Sequence, residues 1–481
     1  MIFVQRRGDI LITTKKHTSI RKTAGLTFFL LLLIVIVAFV SHPSTLMPLL
    51  LVPLVYAIFI VFFAGIFYYI DSPGMIILNA LYFVRYFAYP LLMLFYNHYY
   101  IEDYSKGIWL LLYEETICAV VLYFLIRRRQ KEFINSVEIN DCFSSASNLY
   151  AATLIFSVLS VGIIAINPSI LLNYNIIFGL TSEKLKHIEL VQSSLSVSSF
   201  DIIVLDITRL LIPASIGVSF AEMYNKTQKN IAYILSLFFA VSLSMVIMSG
   251  VDRGTVVLNG IAIGFIIYKI FPQKRKATNV IVVVSAAIIV LNLVVVRLIV
   301  SESSTGLTRY GGIERILEYI QAYVAGIKNM DITIRMKQEY GQYVTFTTPF
   351  NDLFANVPFL SRIVDVGNLS SKYFNNSYGR IGTDQIMPLI GNGLMYFGYV
   401  FSPIFSIIML RVVFWCDEKY RSSNDVFSVF IWSYASTLLT FCHFNNLQLI
   451  MLYFSCRILP LVLVYYVFMR LDLRINKLRV R

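Results

Sequence analysis

The chain has 481 residues, of which 58% are hydrophobic and 14% charged, with a formal net charge of +13. Soluble proteins average about 25% charged residues, so the composition excludes a soluble protein and predicts membrane-spanning helices, because backbone groups in lipid must be satisfied within each segment. The basic residues lie in short clusters between apolar runs, as topology determinants do, and this distribution excludes a nucleic-acid-binding protein.

The sequence also argues against metal and nucleotide chemistry. The five cysteines are odd in number, and their spacing fits neither a zinc site nor a disulfide framework. The chain has no glycine-rich phosphate loop with a lysine and no zinc-protease helix motif. We therefore expect no metal, no cofactor and no ATP hydrolysis.

Twelve apolar runs are predicted to cross the bilayer as helices, since about 20 apolar residues are enough. The first run follows a 23-residue segment that carries six lysines and arginines, and it is expected to stay as an anchor rather than to be cleaved with a signal peptide. The predicted spans are 24–40, 46–70, 74–95, 107–126, 148–166, 199–220, 231–249, 254–271, 279–300, 384–410, 426–441 and 448–469.

The distribution of lysine and arginine predicts that both termini are cytoplasmic. Segments assigned to the inside hold 24 of the 40 basic residues, whereas the short external loops hold four. Such a bias follows the positive-inside rule. We interpret residues 1–481 as a single all-α membrane domain with two sizeable external loops, at 167–198 and 301–383.

The external loop 301–383 is the longest stretch that is not lipid-like, and it is predicted to fold. Residues 313–327 place apolar side chains at helical spacing, which predicts an amphipathic helix along the membrane surface. Residues 348–364 are apolar but interrupted by Pro349 and Pro358, and such a segment can dip into the bilayer where protein shields it. Together they would form a lid over a site near the lipid headgroups.

Charged residues inside the spans are functional candidates, because each costs several kcal/mol at bilayer depth unless it is paired. Asp206 and Arg209 lie three residues apart on one helical face and can pair. The other candidates are Arg85, Glu114, Glu115, Arg297 and Arg457. For all of them, an ion pair that holds the bundle together is the alternative to a functional role.

Two residues at the external ends of predicted spans are the strongest candidates. Arg253 lies between Gly250 and Gly254, where the backbone can approach a ligand closely. Its guanidinium could hold a phosphate through two parallel hydrogen bonds, or it could bond a lipid phosphate. His443 lies in the outer turn between the last two spans. It could be a general base, or an interfacial histidine with a backbone partner.

The long loop holds candidates of three kinds. Arginines could bind an anionic substrate, carboxylates could orient or deprotonate a hydroxyl, and aromatic rings could stack on sugars. Solvated charges and packed rings are the alternative for each. The candidates are Arg309, Arg315, Arg335, Arg362 and Arg380; Asp331, Glu339 and Asp352; and Tyr340, Tyr343, Phe346, Tyr373, Phe374 and Tyr378.

Several features carry a resemblance to a known family. An arginine turn, Asp252–Arg253–Gly254, opens a span, and the long loop leads into NSYGRIGTDQIMPLIGNGLMYFGYVFSPI (376–404). With the span count, the two external loops and the cytoplasmic termini, the chain resembles the Wzy-type polymerases of bacterial O-antigen and capsule repeat units. The resemblance implies a multi-pass protein of the bacterial cytoplasmic membrane.

The resemblance also implies a reaction, a glycosyl transfer on the outer face of that membrane. The terminal sugar hydroxyl of an incoming lipid-linked repeat unit would attack the anomeric carbon of the growing glycan, and undecaprenyl pyrophosphate would leave. A fixed positive site would hold the pyrophosphate, and a base would take the proton. A chain-length regulator and a flippase would be possible partners, with membrane lipids around the spans.

Site roles follow from that implied reaction. Pyrophosphate and glycan would be held by Arg253 and Arg380, with Arg309 or Arg335 in support and Tyr340 beside them. The base would be one of three residues, His443 first, with Glu339 or Asp384 behind it.

Other functions remain open at this point. A ligase that hands the finished glycan to another acceptor shares the donor chemistry. A flippase for lipid-linked oligosaccharide predicts short external loops and a two-fold internal repeat, and neither is visible. A structural or sensory membrane protein leaves the arginine-rich loop unexplained.

Overall fold

A computed structural model gives the fold. It describes residues 25–40, 47–62, 72–95, 101–133, 146–176, 198–249, 254–271, 325–378 and 386–479, and fourteen further positions between 274 and 324. Six of the candidate residues lie outside the described residues, as does most of the predicted span 279–300. These six are Arg253, Arg297, Arg309, Arg315, Arg380 and Asp384.

The described chain is predominantly helical. Its helices are α1 (Gly25–Val40), α2 (Met47–Phe62), α3 (Pro73–Phe95), α4 (Ile101–Phe133), α5 (Ser147–Ile166), α6 (Ser199–Thr227), α7 (Asn230–Val246), α8 (Gly254–Ile270), α9 (Ile327–Tyr340), α10 (Thr347–Phe354), α11 (Ser370–Tyr378), α12 (Leu389–Phe401), α13 (Ile404–Ser422), α14 (Val426–Cys442) and α15, which begins at Leu447 and ends at Arg479. Short 3₁₀ helices lie at Pro168–Asn173, Gly341–Tyr343 and Leu360–Ile363.

Five of these helices are long and apolar enough to cross a membrane, and six if the bent pair α12–α13 counts as one. The five lie in α3, α4, α5, α6 and α15; α1, α2, α7, α8 and α14 are also apolar but shorter. The prediction of a protein with apolar, membrane-length helices is confirmed at this level. The number of spans and their orientation stay predictions.

Within the described residues, α3, α7 and α15 each contain a π-helical turn. These turns are Phe83–Ala88, Phe238–Ser242 and Phe454–Ile458. A π turn inserts a residue into the helix and often lies at a functional site. Arg85 and Arg457 lie in two of the three.

The predicted span 384–410 is not one straight helix. The chain bends by 112° between α12 and α13. Gly398 adopts a positive φ of 76°, which glycine tolerates best, and Pro403 at the start of α13 has no N–H to continue the helix. α13 then runs on to Ser422, twelve residues beyond the predicted end of the span.

Asp417 shows the consequence of that longer helix. The sequence assigned it to a cytoplasmic loop, but it is buried within α13. Its carboxylate accepts hydrogen bonds from the Ser72 hydroxyl at 2.8 Å and from the Gly74 and Met75 amides at 3.0 and 3.1 Å. These amides belong to the first turn of α3, whose N–H groups have no acceptor within the helix. Asp417 of α13 therefore caps the N-terminus of α3.

The described part of the loop 301–383 packs on the ends of the helices. α9 crosses the start of α4 so closely that a Cβ on Gly107 would lie 2.5 Å from the Ile327 carbonyl. The amphipathic helix predicted at 313–327 precedes α9, and the described positions 317, 320, 321, 323 and 324 are helical. Among the described positions of that stretch, Leu317 and Val324 are buried and Tyr323 is exposed.

Two short strands were not predicted. β1 (Tyr174–Ile176) and β2 (Ile247–Ser249) pair antiparallel, with Asn175 opposite Met248. The ribbon therefore ties the start of the segment 167–198, predicted to be an external loop, to the end of α7.

Apolar packing joins these elements into two large clusters among the described residues. One involves α5 to α8 with α13, α14 and α15, and the other involves α1 to α4 with α9; α12 and α13 contribute to both. Because lipid is as apolar as leucine, close packing rather than transfer from water stabilises such contacts.

Candidate functional site

Two guanidinium groups share one carboxylate inside the bundle. Asp206 of α6 lies 3.7 Å from Arg209 and 3.8 Å from Arg457 of α15. The Tyr174 hydroxyl of β1 donates to Asp206 at 3.3 Å. We call these four residues the Asp206 cluster. The i,i+3 pair is confirmed, whereas the third partner, 251 positions away in the sequence, was not predicted.

Secondary structure sets the geometry of the Asp206 cluster. The π turn 454–458 presents Arg457, whose guanidinium lies over the Tyr453 ring at 4.8 Å. Arg209 also donates to the Ile247 carbonyl of β2 at 2.8 Å, while its Nε has no acceptor in the described structure.

Electrostatics give the Asp206 cluster a positive balance. Two arginines and one aspartate sum to +1, and the three side chains are only 6–11% exposed. A cation in such a place costs several kcal/mol unless an anion approaches it. The arrangement is therefore suited to bind an anionic group.

The predicted arginine turn adjoins this cluster in the chain. β2 ends at Ser249 and α8 begins at Gly254. Residues 250–253, which include Arg253, join these two elements and lie outside the described residues. Arg209 donates to the Ile247 carbonyl of β2. The strand that precedes the predicted phosphate-binding turn is therefore bonded to the Asp206 cluster.

A second charged cluster lies around Arg85. Its Nη2 lies 2.6 Å from Glu114 Oε2, and the other carboxylate oxygen accepts from the Ser406 hydroxyl at 2.8 Å. The guanidinium lies over the Phe444 ring at 4.2 Å. Together with Glu115, Tyr82 and His443 these residues form what we call the Arg85 cluster. All of its charged side chains are buried.

Several polar atoms in the Arg85 cluster have no hydrogen-bond partner in the described structure. They are Nε and Nη1 of Arg85, both carboxylate oxygens of Glu115, Nδ1 of His443 and the neighbouring Tyr86 hydroxyl. Arg85, the one arginine of this cluster, is already paired with Glu114. Unlike the Asp206 cluster, the Arg85 cluster therefore has no excess positive charge to offer an anion.

His443, the predicted general base, is fully buried in the Arg85 cluster. Its Nε2 is hydrogen-bonded to the Tyr82 hydroxyl at 3.1 Å. Burial and the nearby Arg85 charge lower the pKa of His443 to about 3, so the imidazole is neutral at pH 7 and a weak base. In this conformation a substrate could not reach it, and its role as the base stays a prediction.

Three predicted loop residues lie near the end of α9. Glu339 accepts from the Ser377 hydroxyl of α11 at 2.9 Å. Arg335 is 47% exposed and lies 4.0 Å from Asp331. Tyr340 stacks on Tyr373 with ring centroids 5.3 Å apart. The three residues lie on one helix, but the Tyr340 ring is already stacked on Tyr373. In the described contacts, none of the three touches the Asp206 cluster or the Arg85 cluster.

Asp352 of α10 is the centre of a buried polar network. It accepts from Gln448 Nε2 at 2.6 Å, from the Ser370 amide at 3.1 Å and from the hydroxyl of Tyr396. Asn392 of α12 donates to it at 3.4 Å. Burial raises the pKa of Asp352, and hydrogen bonds from Ser370, Tyr396 and Gln448 oppose that rise. The network fastens α10 and α11 to the ends of α12 and α15.

Sequence reasoning missed most of these partnerships. Charge at bilayer depth was the signal that found Arg85, Asp206 and Arg457 one by one. No spacing rule could have linked Asp352 to Gln448 or Asp417 to Ser72, because 96 and 345 positions separate them.

Comparison of the chain with family models, with curated proteins and with solved structures gives no match. The resemblance to the repeat-unit polymerases stays a prediction.

Proposed function

We propose that the protein is a polymerase of lipid-linked oligosaccharide repeat units in the bacterial cytoplasmic membrane. It would transfer the growing glycan from undecaprenyl pyrophosphate to an incoming lipid-linked unit on the external face. The proposal also includes twelve membrane spans and two cytoplasmic termini. The observation that carries it is the Asp206 cluster, a buried site of net positive charge formed by membrane-length helices.

Contacts at the two ends of the bundle support the proposed assignment of segments to common sides of the membrane. At one end α9 packs on the start of α4, and α10 bonds the start of α15 through Gln448; all of these segments are assigned outside. At the other end Lys269 donates to the Tyr420 and Ser423 carbonyls at 2.5 and 2.6 Å, and these segments are assigned inside.

The proposed chemistry gives the arginines one task. As the bond from the anomeric carbon to the pyrophosphate oxygen breaks, negative charge grows on the leaving group, and fixed guanidinium groups stabilise it. Arg209 and Arg457 join Arg253 and Arg380 in this role. The acceptor proton goes to a base, for which His443, Glu339 and Asp384 remain the candidates.

The test is chain extension by purified protein in liposomes with a synthetic undecaprenyl-pyrophosphate repeat unit. We expect a ladder of products with two or more repeats. Arg209→Gln and Arg457→Gln should each lower the extension rate on the order of 10- to 100-fold, because a hydrogen bond to a charged group contributes about 1.5–3 kcal/mol.

Arg127→Gln is the matched control, since Arg127 is an exposed arginine on α4 that bonds only Tyr123 in the described contacts. Its rate should equal that of the wild type. Absence of a ladder, with movement of the same substrate across the bilayer, would identify a transporter and refute the polymerase.

A further inference from the structure

The segment 343–366, which lies outside the apolar helices, carries large apolar side chains on its surface. We call its exposed large apolar residues together the phenyl face. Phe346, Phe359 and Ile363 are 84%, 75% and 76% exposed. The face consists of Phe346, Phe350, Phe359, Leu360, Ile363 and Val366. Apolar surface of this kind on a folded element marks an interaction site.

α10, within this segment, is inverted relative to a helix of a soluble protein. Its buried residues are polar, namely Thr348, Asn351 and Asp352, whereas Phe350 on the other side is exposed. The buried polar atoms have partners: Thr348 donates to Asn368 at 2.6 Å, and Gln448 donates to Asp352. A helix that buries polar groups and exposes a phenyl ring, here Phe350, suits an apolar surrounding rather than water.

Phe359 adds an independent observation. Its φ is +69°, a conformation that a bulky residue adopts only when the surrounding structure enforces it. The strained backbone holds the ring in an exposed position. Strain of this kind is typical of a residue that serves binding rather than packing.

The position of the segment identifies what covers the phenyl face. Asp352 and Asn356 both bond Gln448, the second residue of the apolar helix α15, the latter through the Gln448 carbonyl at 3.2 Å. The face is therefore held at the end of a membrane-length helix. Arg362, exposed beside Ile363, supplies a cation that can reach lipid phosphate while the rings lie deeper.

We propose that the phenyl face is inserted into the lipid bilayer at the headgroup–acyl boundary and anchors α10 and α11 to the membrane surface. The partner is the lipid itself and not a second protein. This inference rests on the apolar helices and on the inverted face, not on the proposed reaction, so it can fail or hold independently of the polymerase function.

The test places a tryptophan at Phe359 or Ile363, one at a time, in the full chain in liposomes. With phosphatidylcholine brominated on its acyl chains, the added emission of Phe359→Trp and Ile363→Trp should be quenched and shifted to shorter wavelength. The wild-type protein, with its three native tryptophans, gives the baseline. Asn376→Trp, exposed on α11, is the matched control and should show neither change.

A second measurement covers the case in which a tryptophan variant fails to fold. Cysteines at Phe359 and Ile363 should react more slowly with a charged, membrane-impermeant maleimide in liposomes than a cysteine at Asn376. Equal reactivity at all three positions would overturn the proposal. Slow reaction without bromine quenching would also overturn it, because a protein partner would then cover the face.

Discussion

Arg85 and Arg457 each lie in a π-helical turn of an apolar helix, but the structure gives them opposite surroundings. Arg85 pairs with Glu114, lies over an aromatic ring and is fully buried. Arg457 shares a single aspartate with Arg209, beside a β-ribbon that leads into the segment predicted to be an external loop. The same residue in the same local motif thus serves packing in one place and suits anion binding in the other.

What separates the two clusters is charge balance and access, not residue type. The Arg85 cluster has no excess positive charge, because Glu114 pairs with its one arginine, whereas the Asp206 cluster sums to +1. A buried ion pair contributes little net stability but is costly to break. Substitutions in the Arg85 cluster should therefore change the free energy of unfolding. Substitutions in the Asp206 cluster should change the affinity for anions. Four substitutions test this division.

Removal of Arg85 should have the largest effect. Arg85→Met leaves the Glu114 carboxylate buried without its cation, and we expect a loss of about 3–5 kcal/mol in the free energy of unfolding. Unfolding in mixed dodecyl sulfate and maltoside micelles measures it. The double variant Arg85→Met/Glu114→Met should recover most of the loss, since no uncompensated partner remains. A single variant as stable as the wild type would contradict the sealed ion pair.

Glu115 should respond in the opposite direction. Neither of its carboxylate oxygens has a hydrogen-bond partner in the described structure, and a buried polar group without partners costs about 1–3 kcal/mol. Glu115→Met, of similar volume, should therefore raise stability by that amount in the same unfolding measurement. If Glu115→Met destabilises the protein, the carboxylate has an essential partner and the cluster is not merely structural.

Asp206 should control anion affinity. Asp206→Asn changes the cluster from +1 to +2, and one unit charge at 4 Å contributes about 1 kcal/mol even in water. We expect pyrophosphate to bind at least about five-fold more tightly, measured by calorimetry in detergent at fixed salt. Asp201→Asn makes the same charge change near the start of α6 and serves as control. Equal gains in both variants would show a general charge effect rather than a site.

Tyr174 should give the smallest effect. Tyr174→Phe removes the 3.3 Å hydrogen bond to Asp206, which contributes about 0.5–1.5 kcal/mol. The loss should appear in hydrogen exchange of β1 and β2, while helices remote from the ribbon keep their protection. Tyr466→Phe, an exposed tyrosine on α15, should change nothing. Unchanged ribbon protection would mean that Tyr174 does not fasten the loop to the cluster.

Much of this architecture follows from local sequence. Apolar runs long enough for a bilayer predict α3, α5 and α6 closely, because hydrophobicity and helix length are properties of a single segment. The Asp206–Arg209 pair follows from helical periodicity alone, since residues three apart lie on one face. The bend after Gly398 was missed because a glycine and a proline in an apolar run fit a straight helix as well as a broken one.

Only the tertiary structure decided which helix faces meet. Glu114 and Glu115 are neighbours in the sequence, yet packing turned Glu114 towards Arg85 and left Glu115 without a hydrogen-bond partner. Arg457 reached Asp206, and Asp352 reached Gln448, across long stretches of chain. Helical periodicity fixes what lies on one face of one helix, whereas the choice of partner face depends on close packing among many helices. Charge in the apolar helices was therefore visible from the sequence, and its division into a fully buried ion pair and a cluster of excess positive charge was not.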